Sequence, residues 1–326
     1  MPEVTLVEAI NLALAHELQA DESVVVFGED VGVNGGVFRA TVGLQERFGK
    51  DRVMDTPLAE TLIAGIAIGM AAQGLRPVAE VQFMGFIYPT IDQILSHASR
   101  LRYRTRARLT CPMVLRAPFG GGIHAPEHHS ESTETLFAHI PGLRVVIPSS
   151  PLRAYGLLLA AIRDPDPVIF LEPKRIYRLV KQEVPDNGDA LPLDVCFVLR
   201  EGTDITLVTW GAMTHETMMA AEELAQEGIS SEVIDVATIK PLDMDTILQS
   251  VAKTGRCVIV HEAARTAGMG AEIGAQLAER GLLNLFAPVQ RVAGYDTVMP
   301  LYRLENDYMP DTVRVVNAAR KTMEMA

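Results

Sequence analysis

Short runs of Val, Ile and Leu recur along this chain, each followed by a polar loop and then by a segment with helical spacing. That alternation constrains the fold more than any other feature. Apolar strands of this kind need cover on both faces, and consecutive parallel strands need a helical crossover between them. Strands are expected near residues 24–27, 78–82, 113–116, 144–147 and 168–171, with helices near 61–73, 88–101, 133–139 and 152–163. The first helix opens on Thr5-Leu6-Val7-Glu8, a capping-box pattern, and carries Leu6, Ile10, Leu14 and Leu18 on one face. Between residues 174 and 193 the pattern breaks into charged, Pro- and Gly-containing sequence. A second series follows, with strands near 205–209, 231–236 and 257–260 and helices near 215–227, 244–251, 271–279 and 312–323. The chain therefore reads as α/β in two domains, residues 1–185 and 186–326, each a mostly parallel sheet with helices on both faces.

A length of 326 residues lets each domain bury its own core. The formal net charge of -12 repels phosphate backbones and anionic lipid headgroups, so neither nucleic acid nor a membrane surface is an expected partner. Cys111, Cys196 and Cys257 are odd in number, far apart and set in apolar runs, as expected of free thiols in a reducing compartment. No basic, secretory-type segment opens the sequence, and the apolar stretch at 62–72 is too short to span a bilayer. A cytoplasmic protein is the expectation.

Residues 52–63 read RVMDTPLAETLI and place one carboxylate, Glu60, at the mouth of a Gly/Ala-rich apolar helix. Thr56 is the expected cap and Pro57 suits a first turn, so the helix dipole alone explains an acid here. The following TLIAGIAIGMAAQGL, with small residues at Ala64, Gly65, Gly69 and Ala72, lets another backbone approach closely. In such a dry junction a carboxylate favours its protonated form and becomes a usable proton donor.

A second cluster, GGGIHAPEHHSES at 120–132, supplies His124, His128 and His129, with His139 nearby. Without cysteine or an HExxH pattern it is a poor metal signature, whereas a histidine on a glycine-rich loop suits acid-base work near neutrality. Phe83, Phe86 and Tyr88 follow a strand end, where a ring can stack on a flat heterocycle or simply join the core. Asp164 and Asp166 lie in a tight turn that turn chemistry alone explains, although carbonyls and a carboxylate also suit a hard cation. Gly268-Met269-Gly270-Ala271 begins like a dinucleotide fingerprint but lacks the third small residue and stands away from its strand. There is no GxxxxGK[ST] loop and no GxSxG elbow, which removes NTPase and hydrolase readings. The chain carries an activating acid and no diphosphate cradle. It reads as half of an active site.

Taken in order, GEDVGVNGGVFRAT, RVMDTPLAE, GLRPVAEVQF, the HHS step at 128–130, AIRDPDPVIFLEPKR, SVAKTGRCVIVHEA and GYDT resemble the β subunit of the decarboxylating first component of 2-oxoacid dehydrogenase complexes. The resemblance spans essentially the whole chain. It implies a pyrimidine-binding transketolase-like domain followed by a transketolase C-terminal-like domain, in an α2β2 heterotetramer that uses thiamine diphosphate. It further implies that the α subunit holds the diphosphate and its magnesium, and that the enzyme feeds a lipoyl-bearing acyltransferase docked on the C-terminal domain near Asp296.

By the same resemblance, Glu60 hydrogen-bonds N1′ of the aminopyrimidine, Phe86 stacks on that ring, and Glu29 and Gln82 help to hold it. His129, which directly precedes the serine of the HHS step, serves reductive acylation of the lipoyl group. Asp164 and Asp166, with the carbonyls of Met113, Ala161 and Ile162, match a potassium-holding loop, although the second acid is often asparagine in the family. An acetoin-cleaving or other transketolase-like enzyme and a non-catalytic scaffold chain are the alternatives. Substrate choice stays open: LEPKR and VIVHEA lean towards branched-chain 2-oxoacids, and the FGGGIHAPE loop leans towards pyruvate.

Overall fold

The computed structural model describes residues 3–325, which form two compact units. The first holds the residues up to Phe119 together with Leu136–Leu193; the second holds Gly120–Thr135 and the residues from Asp194 onward. The first unit thus runs past the expected boundary near residue 185. The reason is local: Gln182 and Glu183 pair antiparallel with Val4 and Glu3, Val184 is buried, and the Leu191 amide donates to the Gly156 carbonyl at 3.0 Å. Membership of Gly120–Thr135 in the second unit has no counterpart in the linear sequence pattern.

In the first unit the strands are β1 (Val24–Gly28), β2 (Val53–Asp55), β3 (Arg76–Glu80), β4 (Val114–Phe119), β5 (Arg144–Val146) and β6 (Val168–Pro173). They lie in the order β5-β6-β4-β3-β1-β2, and every pairing among them is parallel. β1 is buried along its whole length, as an apolar run covered on both faces must be. Its neighbours are β2 on one side and β3 on the other. The chain therefore reverses direction at β1, which opens a crevice beyond the strand's carboxyl end. Helices α1 (Leu6–Ala20) and α2 (Glu60–Ala72) belong to this unit, as does α3 (Pro151–Arg163), which packs on α1. Glu8 accepts from both the amide and the hydroxyl of Thr5 at 2.7 Å, so the first turn of α1 is tied back as anticipated.

The expected helix over 88–101 is broken. Two short α-helical pieces, Ile91–Ser96 and Leu101–Arg104, are separated by His97 and the 3-10 turn Ala98–Arg100. The Ser99 hydroxyl takes the Leu95 carbonyl at 3.0 Å, a local bond that competes with the helical ladder.

The second unit contains β7 (Phe197–Arg200), β8 (Ile205–Thr209), β9 (Ser231–Asp235), β10 (Cys257–Ala264) and β11 (Gln290–Gly294), in the order β11-β10-β8-β9-β7. All pairings are parallel except that of the edge strand β7 with β9. Helices α4 (Met213–Gln226), α5 (Met244–Thr254), α6 (Met269–Arg280), α7 (Glu305–Tyr308) and α8 (Thr312–Glu324) complete the unit. Cys111 and Cys257 are buried, Cys196 is half-buried, and all are free thiols. Among the described residues no helix is long and apolar enough to cross a membrane.

Candidate active site

Glu29 and Glu60 reach the same crevice of the first unit from different directions. Glu29 follows the carboxyl end of β1, and Glu60 is the first residue of α2. The helix begins at Ala59, whose carbonyl receives the Ile63 amide at 3.0 Å, so the expected Thr56 cap is not used. Thr56 instead prolongs the β1–β2 pairing, its amide donating to the Gly28 carbonyl at 2.9 Å. Gly28 is required at that strand end because a Cβ there would lie 2.5 Å from the Glu80 carbonyl oxygen.

Glu29 is 6% exposed, and its Oε1 is buried without a hydrogen-bond partner. Burial and then the neighbouring Glu60 carboxylate push the Glu29 carboxyl above its ordinary value, against a hydrogen bond from the Ala59 amide. Glu60 itself is half-buried, so the dry junction expected around it is not complete within this chain. Along α2, Leu62 is 45% exposed and Gly69 faces open space, while Leu58 just before the helix is 79% exposed. The helix thus keeps an uncovered apolar side.

Gln82 follows β3, and its amide approaches Asp30 Oδ2 at 3.4 Å, beside Glu29 in sequence. Phe86 ends a 3-10 turn, Met84–Phe86, and meets Phe83 edge-on at 5.5 Å. Phe83 packs in turn on Phe38 at 5.4 Å, and Phe38 on Tyr177 at 5.2 Å. The Thr61 hydroxyl donates to the Pro89 carbonyl at 3.0 Å, tying the start of α2 to this aromatic segment. A buried acceptor lacking a donor, a second acid and a half-buried ring suit a flat, amine-bearing heterocycle.

Beneath the aromatics lies a network that inspection of motifs misses. Arg116, 1% exposed on β4, donates to Glu80 on β3 at 2.8 Å and to Glu172 on β6 at 2.6 Å. The Tyr177 hydroxyl donates to Glu172 at 2.6 Å, and the Lys174 ammonium lies 5.4 Å from the Phe83 ring centre. Burial pushes the Glu80 carboxyl up, against the pull of Arg116. The available signal was a charged residue in each of three otherwise apolar strands, Glu80, Arg116 and Glu172. Glu80 and Arg116 face one another in register, and Glu172 lies two residues beyond the partner of Arg116.

Four of the five residues matched to a potassium loop are served by protein donors. The Ile162 carbonyl receives Arg76 at 2.8 Å, and the Met113 carbonyl receives the Val168 amide at 3.0 Å. Asp164 pairs with Arg144 at 3.2 Å and Asp166 with Arg102 at 2.7 Å. Guanidinium groups therefore already balance the acids of this turn, while Ala161 remains within α3. Among the described residues no group of three or more His, Cys, Asp or Glu side chains is arranged to hold a metal ion.

His129 belongs to the second unit. It ends the 3-10 turn Glu127–His129; His129 is half-buried and His128 exposed. Two of the glycines before it make room for protein. A Cβ on Gly120 would lie 2.3 Å from Glu262 Oε1, and one on Gly121 would lie 2.3 Å from Met299 Cε. The Gly268-Met269-Gly270 step has a similar cause: a Cβ on Gly270 would lie 2.7 Å from the His261 ring. That ring is fully buried and stacks on Trp210 at 5.2 Å with an interplanar angle of 7°. Burial, then the charge of Arg291, lowers its pKa to about 4. Glu134 is equally buried, and burial, together with the Glu262 charge, raises its pKa to about 8 against hydrogen bonds from its own amide and from Trp210. Asp296 lies at the exposed end of the unit and accepts the amide and hydroxyl of Thr266 at 2.8 and 2.7 Å.

Residues 2–180 match the family model of the transketolase pyrimidine binding domain, and residues 196–315 match that of the transketolase C-terminal domain. The chain is 52% identical to the pyruvate dehydrogenase E1 component subunit beta of Bacillus subtilis strain 168, over 99% of this chain and 100% of that protein. It is 50% identical, with the same coverage, to the protein of that name from Staphylococcus epidermidis. A solved structure described as a split gene transketolase, inactive beta4 tetramer, superposes with a TM-score of 0.82 at 23% identity, over 99% of each chain, and bears on the fold alone.

Proposed function

The chain belongs to the β-subunit family of the decarboxylating first component of 2-oxoacid dehydrogenase complexes, and on that premise we propose that it supplies the pyrimidine-binding half of a thiamine diphosphate site in a pyruvate dehydrogenase. Bound there, thiamine diphosphate supplies the electron sink for decarboxylation of the 2-oxoacid. The observation that carries the reading is the buried, unpartnered oxygen of Glu29 beside Glu60, at the point where the parallel sheet reverses direction.

Glu60 holds a proton against the ring nitrogen N1′, where an acid at the mouth of a helix can give and recover it. Glu29, pushed towards its protonated form, orients the pyrimidine together with Gln82. Phe86 lies against the ring face, and the Arg116 network fixes the strand ends from which these groups project. His129 moves the proton required when the acyl group passes to a lipoyl sulfur. The diphosphate and its magnesium fall to an α subunit, since no phosphate-cradling loop occurs in this sequence. The acyltransferase component docks on the second unit near the exposed Asp296. Potassium is no part of the proposal, because arginines already serve the Asp164–Asp166 turn. Pyruvate is preferred to bulkier 2-oxoacids because relatives sharing half of the sequence carry that name.

Glu60→Gln tests the assignment in the enzyme assembled with its α subunit. The variant should bind the cofactor yet exchange the C2 proton about 100-fold more slowly or worse, the scale of a lost general acid. An exchange rate equal to that of the parent would remove Glu60 from the mechanism. Turnover of a branched-chain 2-oxoacid faster than that of pyruvate by the parent enzyme would overturn the substrate assignment.

A further inference from the structure

The loop that carries His129 is held by two buried carboxylates that lie far from it in sequence. Glu262, 4% exposed at the end of β10, accepts the Gly121 amide at 3.0 Å and also the Ser132 hydroxyl. It thereby joins the start of the loop to its end, next to the bond from the Gly120 amide to the Glu131 carbonyl at 2.9 Å. Glu305, 1% exposed at the start of α7, grips the middle. Its Oε1 accepts the Gly122 amide at 2.8 Å, and its Oε2 accepts the His124 amide at 3.0 Å and lies 2.8 Å from His124 Nδ1.

His124 has φ +59°, a left-handed conformation that a non-glycine residue holds only when its surroundings impose it. The Glu305 carboxylate, binding both its amide and its ring, imposes it here. Beyond this point the backbone closes a short local turn around His129. The His129 amide donates to the Pro126 carbonyl and the Ser130 amide to the Glu127 carbonyl, both at 2.9 Å, and the Ser130 hydroxyl to Pro126 at 3.1 Å. The residues held by the two carboxylates, Gly121 to His124 on one side and Ser132 on the other, flank this turn and hold both of its ends. Several amide hydrogen bonds converging on one buried carboxyl group make a stiff anchor of this kind.

We propose that Glu262 and Glu305 are positioning residues that clamp the 120–132 loop and so set the placement of the His129 imidazole for acyl transfer. The inference rests on the reading of His129 as the acyl-transfer histidine. Neither glutamate touches the reacting atoms; both act through the loop.

The test uses the assembled α2β2 enzyme and Glu305→Ala, Glu305→Gln, Glu262→Gln, His129→Ala and the double variant Glu305→Ala/His129→Ala. Amide hydrogen exchange over residues 120–132 reads the clamp directly. Decarboxylation coupled to an artificial electron acceptor and reductive acylation of a free lipoyl domain read the two halves of the reaction separately. Glu305→Ala should speed exchange at Gly122 and His124 and slow lipoyl acylation by about tenfold, with acceptor-coupled decarboxylation within about twofold of the parent. Glu305→Gln, which retains one accepting oxygen, should fall between the two, and Glu262→Gln should act in the same direction. On the His129→Ala background, Glu305→Ala should have no further effect on acylation.

Unchanged exchange, equal loss in both half-reactions, or additive effects in the double variant would each overturn the proposal. If His129→Ala acylates the lipoyl domain normally while Glu305→Ala frees the loop, the reading of His129 fails and the clamp on the loop stands. Assembly with the α subunit and the far-ultraviolet circular dichroism of each variant separate these outcomes from misfolding, and Glu305→Gln keeps the question answerable if the alanine variant does not assemble.

Discussion

Single side chains in this protein carry opposite demands on protonation. Glu134 has an ordinary pKa of 4.5 that burial raises to about 8, so the folded chain keeps a proton that the unfolded chain releases. Its contribution to stability is fully present below pH 4.5 and is lost as pH rises to about 8. His261 works in the other sense: its ordinary 6.5 falls to about 4, so a penalty develops as pH drops through that window. Between pH 4.5 and 6.5 the two slopes oppose one another, and from 6.5 to about 8 Glu134 acts alone. The unfolding free energy of the chain should therefore decline over that upper window, by up to about 1.4 kcal/mol per pH unit, as urea unfolding at successive pH values would read. Glu134→Gln should flatten the decline and be the more stable protein at pH 8; the same slope in both would exclude Glu134 as its source. None of this was legible in the sequence. Glu134 begins a short helix like any helix-starting acid, and only the packing around it makes its charge costly. Glu60, by contrast, stood out through its place before a small-residue helix, and it does lie beside Glu29, whose charge responds to it.

At the level of elements, the strands were readable because apolar runs bounded by polar loops have few alternatives, and β8 falls where expected. Ends were harder. α2 starts at Glu60 because Thr56 stays paired to the neighbouring strand, a competition between ladder and cap that local sequence does not resolve. The glycines at 268 and 270, which begin like a fingerprint without completing one, let α6 lie against the His261 ring. Gly270→Ala follows from that contact. The ring is stacked on Trp210 and cannot swing aside, so the added methyl should cost about 1–3 kcal/mol, as overpacked cores do. Urea unfolding measures it, and a variant as stable as the parent would mean that α6 is free to shift. The passage of 120–135 into the second unit was equally invisible. It depends on Glu262 and Glu305, which lie more than a hundred residues away in sequence.

The whole molecule is two α/β units, each with its own sheet, and the residues matched to the cofactor's pyrimidine all lie in the first. What the sequence lacked proved as informative as what it held. A chain with an activating glutamate and no phosphate cradle needs a second polypeptide, and the uncovered apolar side of α2 is consistent with one. The purified chain, assayed for pyruvate decarboxylation alone and after mixing with its α subunit, thiamine diphosphate and magnesium, tests that dependence directly. No turnover is expected from the isolated chain, and decarboxylation with acylation of a lipoyl domain is expected from the mixture. Decarboxylation by the isolated chain would contradict the division of the active site between two polypeptides.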